Sequence, residues 1–132
     1  MLETSSGRVI LTFQNEKERK RRLERRNYYS KLETTSKISI SELKKIEKLF
    51  SKNTMKNIEK NKYELVKSLQ IKGVTNISVP IFDYTNYAIA ALTIPFVDRI
   101  ITKGELNLSE VKKLLIKSGE LLSSEMGYKD LK

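Results

Sequence analysis

From Val74 to Asp83 the side chains alternate, with Ile77, Val79 and Ile81 on one side and Asn76, Ser78, Pro80 and Phe82 on the other. Successive side chains of a strand point to opposite faces, so this alternation predicts a half-buried β-strand. The run Asp83–Tyr87 (DYTNY) supplies turn chemistry through Asp and Asn, and Ala88 to Ile94 then returns as a second strand. In that arm Leu92 and Ile94 share one face, and Ile89, Ala91 and Thr93 share the other. The hairpin therefore has one face of large aliphatic residues, suited to packing under helices. The opposite face, with Asn76, Ser78, Ala91 and Thr93, is small and partly polar. If helices cover it, the small face leaves volume for a pocket with a few hydrogen-bonding groups; otherwise it is a solvated sheet face or a site of close helix packing onto Ala91.

The remaining elements read as helices. Thr4, Ser5 and Ser6 are N-cap types ahead of Val9, Ile10 and Phe13 at helical spacing, which predicts a short helix over Ser5–Phe13. A second helix, about Glu16–Arg26, follows a candidate cap at Asn15; its sequence EKERKRRLERR holds one apolar residue, Leu23, so it belongs on the surface. Asn27–Ile40 reads as loop with some extended structure. Ser39–Glu42 has capping-box spacing before Leu43, Ile46, Leu49 and Phe50, with Met55 and Ile58 as an extension past Ser51–Thr54. A short strand is expected at Tyr63–Val66, and a turn of helix after Asp98. Asn107 caps a long helix whose expected buried stripe is Val111, Leu114, Leu115, Ser118, Leu121 and Leu122, ended by Gly127. Helices beside an antiparallel sheet make an α+β domain, and 132 residues fit one such domain.

Catalysis has few materials. The chain has no cysteine, histidine or tryptophan. That removes the thiol nucleophile, the commonest general base and the commonest metal ligand. No nucleophile elbow, phosphate-binding glycine loop or metal-ligand cluster occurs, so neither an enzyme nor a cofactor is expected. Asp83, in a turn, and Asp98 are the acids nearest the strands. The longest apolar-leaning run, Ile77–Ile101, is broken by Pro80, Asp83, Asn86, Pro95 and Asp98, and the N-terminus has no secretory pattern, so a cytoplasmic protein with no membrane partner is expected.

Two binding features stand out. The amides at the head of the first helix, around Ser5, Ser6 and Gly7, lack intrahelical partners and lie at the positive end of its dipole, where a small carboxylate can sit. Serine-rich caps also occur without any ligand. The second feature is charge: residues 1–72 carry 19 Lys+Arg against 9 Asp+Glu, whereas residues 73–132 carry 7 of each. Such an excess fits either a polyanion surface or ordinary solvated helix faces. The 17–26 run, flanked by Tyr28 and Tyr29, and the lysines of 44–72 offer phosphate contacts without any sequence-reading motif.

The stretch GVTNISVPIFDYTNYAIAALTIP from Gly73 resembles the strand hairpin of the IclR-type transcriptional regulators, through Gly73, Pro80, Phe82, Asp83, Ala90, Ala91 and Leu92. Thr4–Phe13 resembles that family's A-S-x-x-G-(K/R)-A helix start, Asn15–Glu18 its next helix start, and Leu121–Tyr128 its terminal helix. Together these motifs span residues 4–128 in order. The resemblance implies a GAF-like fold, an antiparallel sheet flanked by helices. It implies a single effector-binding domain over residues 1–132, lacking the winged helix-turn-helix domain through which such regulators bind DNA, with the family's leading helix and strands also missing. It implies a small organic acid or aromatic effector and a homodimer or homotetramer, a second copy covering the open sheet edge. By position, Ser5, Ser6 and Gly7 would hold the effector's carboxylate, and Asn76 and Thr93 would line the pocket with Ser78 and Ala91 on the same face. Pro95 replaces a second pocket serine and Val66 an acidic residue, which implies a less polar pocket. Two other functions are kept: a basic protein that binds nucleic acid nonspecifically, and a dimerisation module without ligand.

Overall fold

The computed structural model describes residues 4–32, 52–97 and 106–129. In chain order these form α1 (Ser5–Thr12), α2 (Glu16–Leu32), α3 (Lys52–Asn61), β1 (Glu64–Lys67), β2 (Val74–Phe82), β3 (Ala88–Val97) and α4 (Leu108–Glu125). The three strands make one antiparallel sheet in the order β1-β2-β3, so the fold is α+β. The expected helix over 39–50 and the turn of helix after Asp98 fall at 33–51 and 98–105, outside the described residues. Lys52–Asn61, with Met55 and Ile58, is helical.

The hairpin folds as its alternation requires. Ile77 lies opposite Ile94, Val79 opposite Leu92, Ser78 opposite Thr93 and Pro80 opposite Ala91, and residues paired in register share a face. Asp83 organises the turn: its carboxylate accepts from the Thr85 amide at 2.9 Å, its carbonyl accepts from the Asn86 amide at 3.0 Å, and Asn86 takes the left-handed backbone (φ 66°) that asparagine tolerates. A bulge shifts the pairing between Ile81 and Phe82, so that Ile81 meets Ala90 and Phe82 meets Ala88. Ile89 is thereby left out of the ladder and is exposed rather than sharing a face with Ala91.

β3 runs three residues past Ile94, through Pro95 to Val97. The Ser68 amide donates to the Val74 carbonyl at 2.8 Å, so the even-numbered residues of β2 bond towards β1 and the odd-numbered ones towards β3. Pro95 is opposite Asn76, an even-numbered residue. Its missing N–H therefore falls on the outer edge of β3, the position where a strand tolerates proline.

The two sheet faces carry different helices. On the aliphatic face Ile77 and Val79 bury against Leu115 of α4, with Leu92, Ile94, Val111 and Ile116 around them. Burying each of the three central side chains contributes roughly 1.5–3 kcal/mol. Asn107 caps α4, accepting from the Glu110 amide at 2.9 Å. Gly127 (φ 88°) ends it: the Tyr128 amide donates to the Ser123 carbonyl and the Gly127 amide to that of Ser124, the doubly bonded ending that needs a left-handed residue.

The buried face of α4 differs from the expected stripe. Leu115, Gly119 and Ser123 are buried, while Leu114 and Leu121 are mostly exposed and Leu122 is 40% exposed. Gly119 explains the rotation. A Cβ there would meet the Val79 side chain at 2.8 Å, so the smallest residue is placed where helix and strand approach most closely. Ser123 is turned inward for a polar reason: its hydroxyl accepts from the buried Phe82 amide at 3.0 Å.

The small face of the sheet carries α1, and α1 packs in turn on α3. Val9 and Leu11 are buried in α1. At its far end Phe13 meets Phe82 edge-on at 5.1 Å, and Phe82 stacks on Tyr128 at 4.8 Å. α2 continues to Leu32, six residues beyond Arg26 and into the segment expected to be loop. No Gly or Pro lies between Glu16 and Leu32 to stop it.

Candidate functional site

α1 begins at Thr4, whose backbone is extended (φ −115°, ψ 149°). The Thr4 hydroxyl accepts from the Gly7 amide at 3.1 Å, and the Thr4 carbonyl accepts from the Arg8 amide at 3.1 Å. The cap is therefore Thr4 rather than Ser5 or Ser6. The first turn leaves the amides of Ser5 and Ser6 without intrahelical partners, at the positive end of the helix dipole. The Ser6 hydroxyl donates to the Thr4 hydroxyl at 3.3 Å. Ser5 is only 3% exposed, and its hydroxyl is buried without a hydrogen-bond partner among the described residues. A buried hydroxyl in that state costs about 1–3 kcal/mol of desolvation. Such a group is retained where something else, a ligand or a water, satisfies it.

The sheet face under α1 places the four hairpin residues expected at the site together. Ser78 is fully buried, and its hydroxyl lies 2.8 Å from that of Thr93. Asn76, Ala91 and Thr93 are half-buried on the same face. The two hydroxyls of Ser78 and Thr93 thus hold one another across the strand pair, and either can be the donor. Gly7 is buried with its amide already engaged by Thr4. The candidate polar groups here are therefore the Ser5 and Ser6 amides, the buried Ser5 hydroxyl, the Asn76 side chain and the Thr93 hydroxyl, the last already bonded to Ser78.

Two charged residues complete the face, and the sequence reading did not single out either. Arg8 of α1 grips Glu64 of β1 with both oxygens: Nε lies 2.9 and 3.1 Å from Oε1 and Oε2, and Nη2 lies 2.8 Å from Oε1. Both side chains are nearly buried, at 4% and 10% exposure. Glu64 pairs with Ser78 and Ser78 with Thr93, so one polar row crosses all three strands below α1. The next row is Val66–Asn76–Pro95. The carboxylate of this face thus stands at 64, one pleat away from Val66, and is neutralised by Arg8. An arginine inside the apolar helix SSGRVILT was the available signal, because such a charge needs a buried partner. Beside the pair lies a groove of about 570 Å³, lined by Arg8, Glu64, Tyr63, Val66, Asn57 and Asn61 among others.

The described residues hold no cluster of three or more carboxylates that could bind a metal, and none of their helices is long and apolar enough to cross a membrane. The basic run of α2 exposes Lys17, Lys20, Arg21 and Arg25. The side chains of Tyr28 and Tyr29, and residues 44–51 of the second basic region, lie outside what is described.

Comparison with known proteins agrees with this fold. The C-terminal domain of the E. coli transcriptional regulator KdgR superposes with a TM-score of 0.63 at 23% identity, over 96% of this chain and 71% of that one. The Thermotoga maritima IclR gives 0.62 at 27% identity, over 96% of this chain and 47% of that one. The Agobacterium tumefaciens repressor BlcR gives 0.58 at 18% identity, over 98% and 47%. The chain thus spans about half the length of the last two. A search of curated proteins returned no match. The family model for the bacterial transcriptional regulator IclR C-terminal domain matches residues 1–124, and the chain therefore belongs to the IclR family of transcriptional regulators, as its C-terminal domain.

Proposed function

We propose that this domain is a small-molecule sensor that holds an anionic effector between the head of α1 and the small face of the sheet. The Ser5 hydroxyl, buried at the positive end of α1 without a hydrogen-bond partner among the described residues, carries the reading. A carboxylate of an organic or aromatic acid sits on the Ser5 and Ser6 amides and takes the Ser5 hydroxyl, while Asn76 and Thr93 orient the rest of the molecule. Ala91 leaves room for the ligand body. Since Arg8 and Glu64 neutralise one another, the helix dipole sets the sign of the preferred ligand.

The domain works without catalysis, in the cytoplasm, on behalf of a separate winged helix-turn-helix domain that binds DNA. An effector that ties α1 to β2 and β3 favours the subunit arrangement in which that contact is best made. Only such differential affinity can shift DNA binding. The outer edge of β3 and the exposed Leu114 and Leu121 of α4 support assembly into a homodimer or homotetramer.

Isothermal titration calorimetry against small carboxylates, 2-oxo acids and aromatic acids tests the reading. A saturable 1:1 heat that is lost in Thr93→Val supports it. A folded chain that binds none of the three classes points instead to a dimerisation module with a closed pocket.

A further inference from the structure

We propose that the outer face of α2 is a second, sequence-independent contact to double-stranded DNA, so that the sensor domain itself touches the DNA backbone. At 100° per residue, Arg19 and Leu23 lie within 40° of each other on one side of α2. Both are partly buried, and Arg19 bonds the Met55 sulfur of α3 and the Gln14 carbonyl, which fixes that side as the inner one. Lys17, Lys20, Arg21, Glu24 and Arg25 occupy an arc of about 140° on the opposite side, and all five are exposed. The arc thus presents four cations and one carboxylate to solvent.

On its flank one carboxylate is shared between two cations. Glu18 pairs with both Arg21 (2.8 Å) and Arg22 (2.9 Å). One carboxylate shared by two guanidiniums leaves a net positive group, and ion pairs this exposed are readily exchanged for phosphate contacts. From Lys17 to Arg25 the face is about 12 Å long. A DNA duplex carries about seven phosphates over that length, enough to meet three or four of the cations.

Charge complementarity selects DNA over other partners. A membrane-surface helix needs an apolar face to insert. The apolar residue of α2 whose side chain is described, Leu23, is turned to the body of the domain. A specific protein partner needs a buried aromatic or aliphatic anchor, and the arc offers none between Lys17 and Arg25. Membership of a transcriptional-regulator family puts a duplex within reach of the assembled protein. The inference does not depend on effector binding.

The test is fluorescence anisotropy of the 132-residue chain with a labelled 30-base-pair duplex of arbitrary sequence, from 50 to 200 mM salt. Three or four phosphate contacts predict a log–log slope of about −3, or a 40- to 150-fold loss of affinity across that range. The variant Lys17→Gln/Lys20→Gln/Arg21→Gln/Arg25→Gln should lose at least tenfold at 50 mM and flatten the slope. A control with the same charge change at exposed sites elsewhere, Lys67→Gln/Lys113→Gln/Lys117→Gln/Lys129→Gln, should change affinity less than threefold. Glu24→Lys keeps the helix and should tighten binding and steepen the slope by about one contact. No binding at 50 mM, an equal loss in the control, an unchanged Glu24→Lys, or tighter binding to phosphatidylserine vesicles than to DNA overturns the proposal.

Discussion

Replacing Ser5 with alanine should make the free domain more stable and its effector binding weaker. Ser5 is 3% exposed and its hydroxyl has no hydrogen-bond partner among the described residues. Removing that hydroxyl relieves about 1–3 kcal/mol of uncompensated desolvation. A chain of 132 residues unfolds with an entropy of about 0.28 kcal/mol/K. The midpoint of thermal unfolding, followed by far-ultraviolet circular dichroism, should therefore rise by roughly 4–11 °C. Ser6→Ala is the control: Ser6 is partly exposed and its hydroxyl bonds Thr4, so its stability should stay within about 0.5 kcal/mol of wild type. With a bound acid the order reverses, and Ser5→Ala should lose about tenfold in affinity, or 1.4 kcal/mol. A lower midpoint for Ser5→Ala would mean that the fold itself satisfies the hydroxyl, and the argument for a ligand there would fail.

Arg8→Met should cost about 3–5 kcal/mol in urea unfolding, because it strands the Glu64 carboxylate in the interior, and adding Glu64→Leu should recover at least half. A double variant no better than the single would show that Arg8 acts through packing instead. Gly119→Ala places a methyl 2.8 Å from the Val79 side chain; it should destabilise by about 1–3 kcal/mol despite the better helix former, and Val79→Ala in the same chain should relieve part of that. The Glu18 carboxyl is lowered to about 2, first by its hydrogen bond from Arg21 and then by that from Arg22. Its contribution to stability is thus present above pH 4.5 and fades as the pH falls towards 2. A carboxyl resonance titrating above pH 4 would show that the pairs do not persist in solution.

The hairpin was legible because the period of two, the Asp–Asn turn and the two unlike faces all depend on residues near one another in the chain. The caps at Asn107 and Gly127 were legible for the same reason. The orientation of α4 was not. Leu114, Leu121 and Leu122 fit a helical stripe as well as Leu115 does, and only the close approach of Gly119 to Val79 selects among the alternatives. Likewise Asn76, Ser78, Ala91 and Thr93 could be placed on one face from strand period alone. The Arg8–Glu64 pair joins residues 56 positions apart, and no local pattern connects them. The C-terminal end of α2 was not legible, because Asn27–Leu32 continues no apolar stripe from the polar run before it, whereas a helix continues until a residue stops it.

The central claim is that an anion binds at the head of α1 above the small face of the sheet. It is tested most directly by following backbone amide resonances while 2-oxo acids and aromatic acids are titrated into the isotopically labelled chain. Saturable shifts of the Ser5 and Ser6 amides, with Asn76 and Thr93 moving at the same ligand concentration, are the predicted result. Saturable shifts confined to the groove beside Asn57 and Asn61, or no shift at millimolar concentrations of any acid, would contradict it.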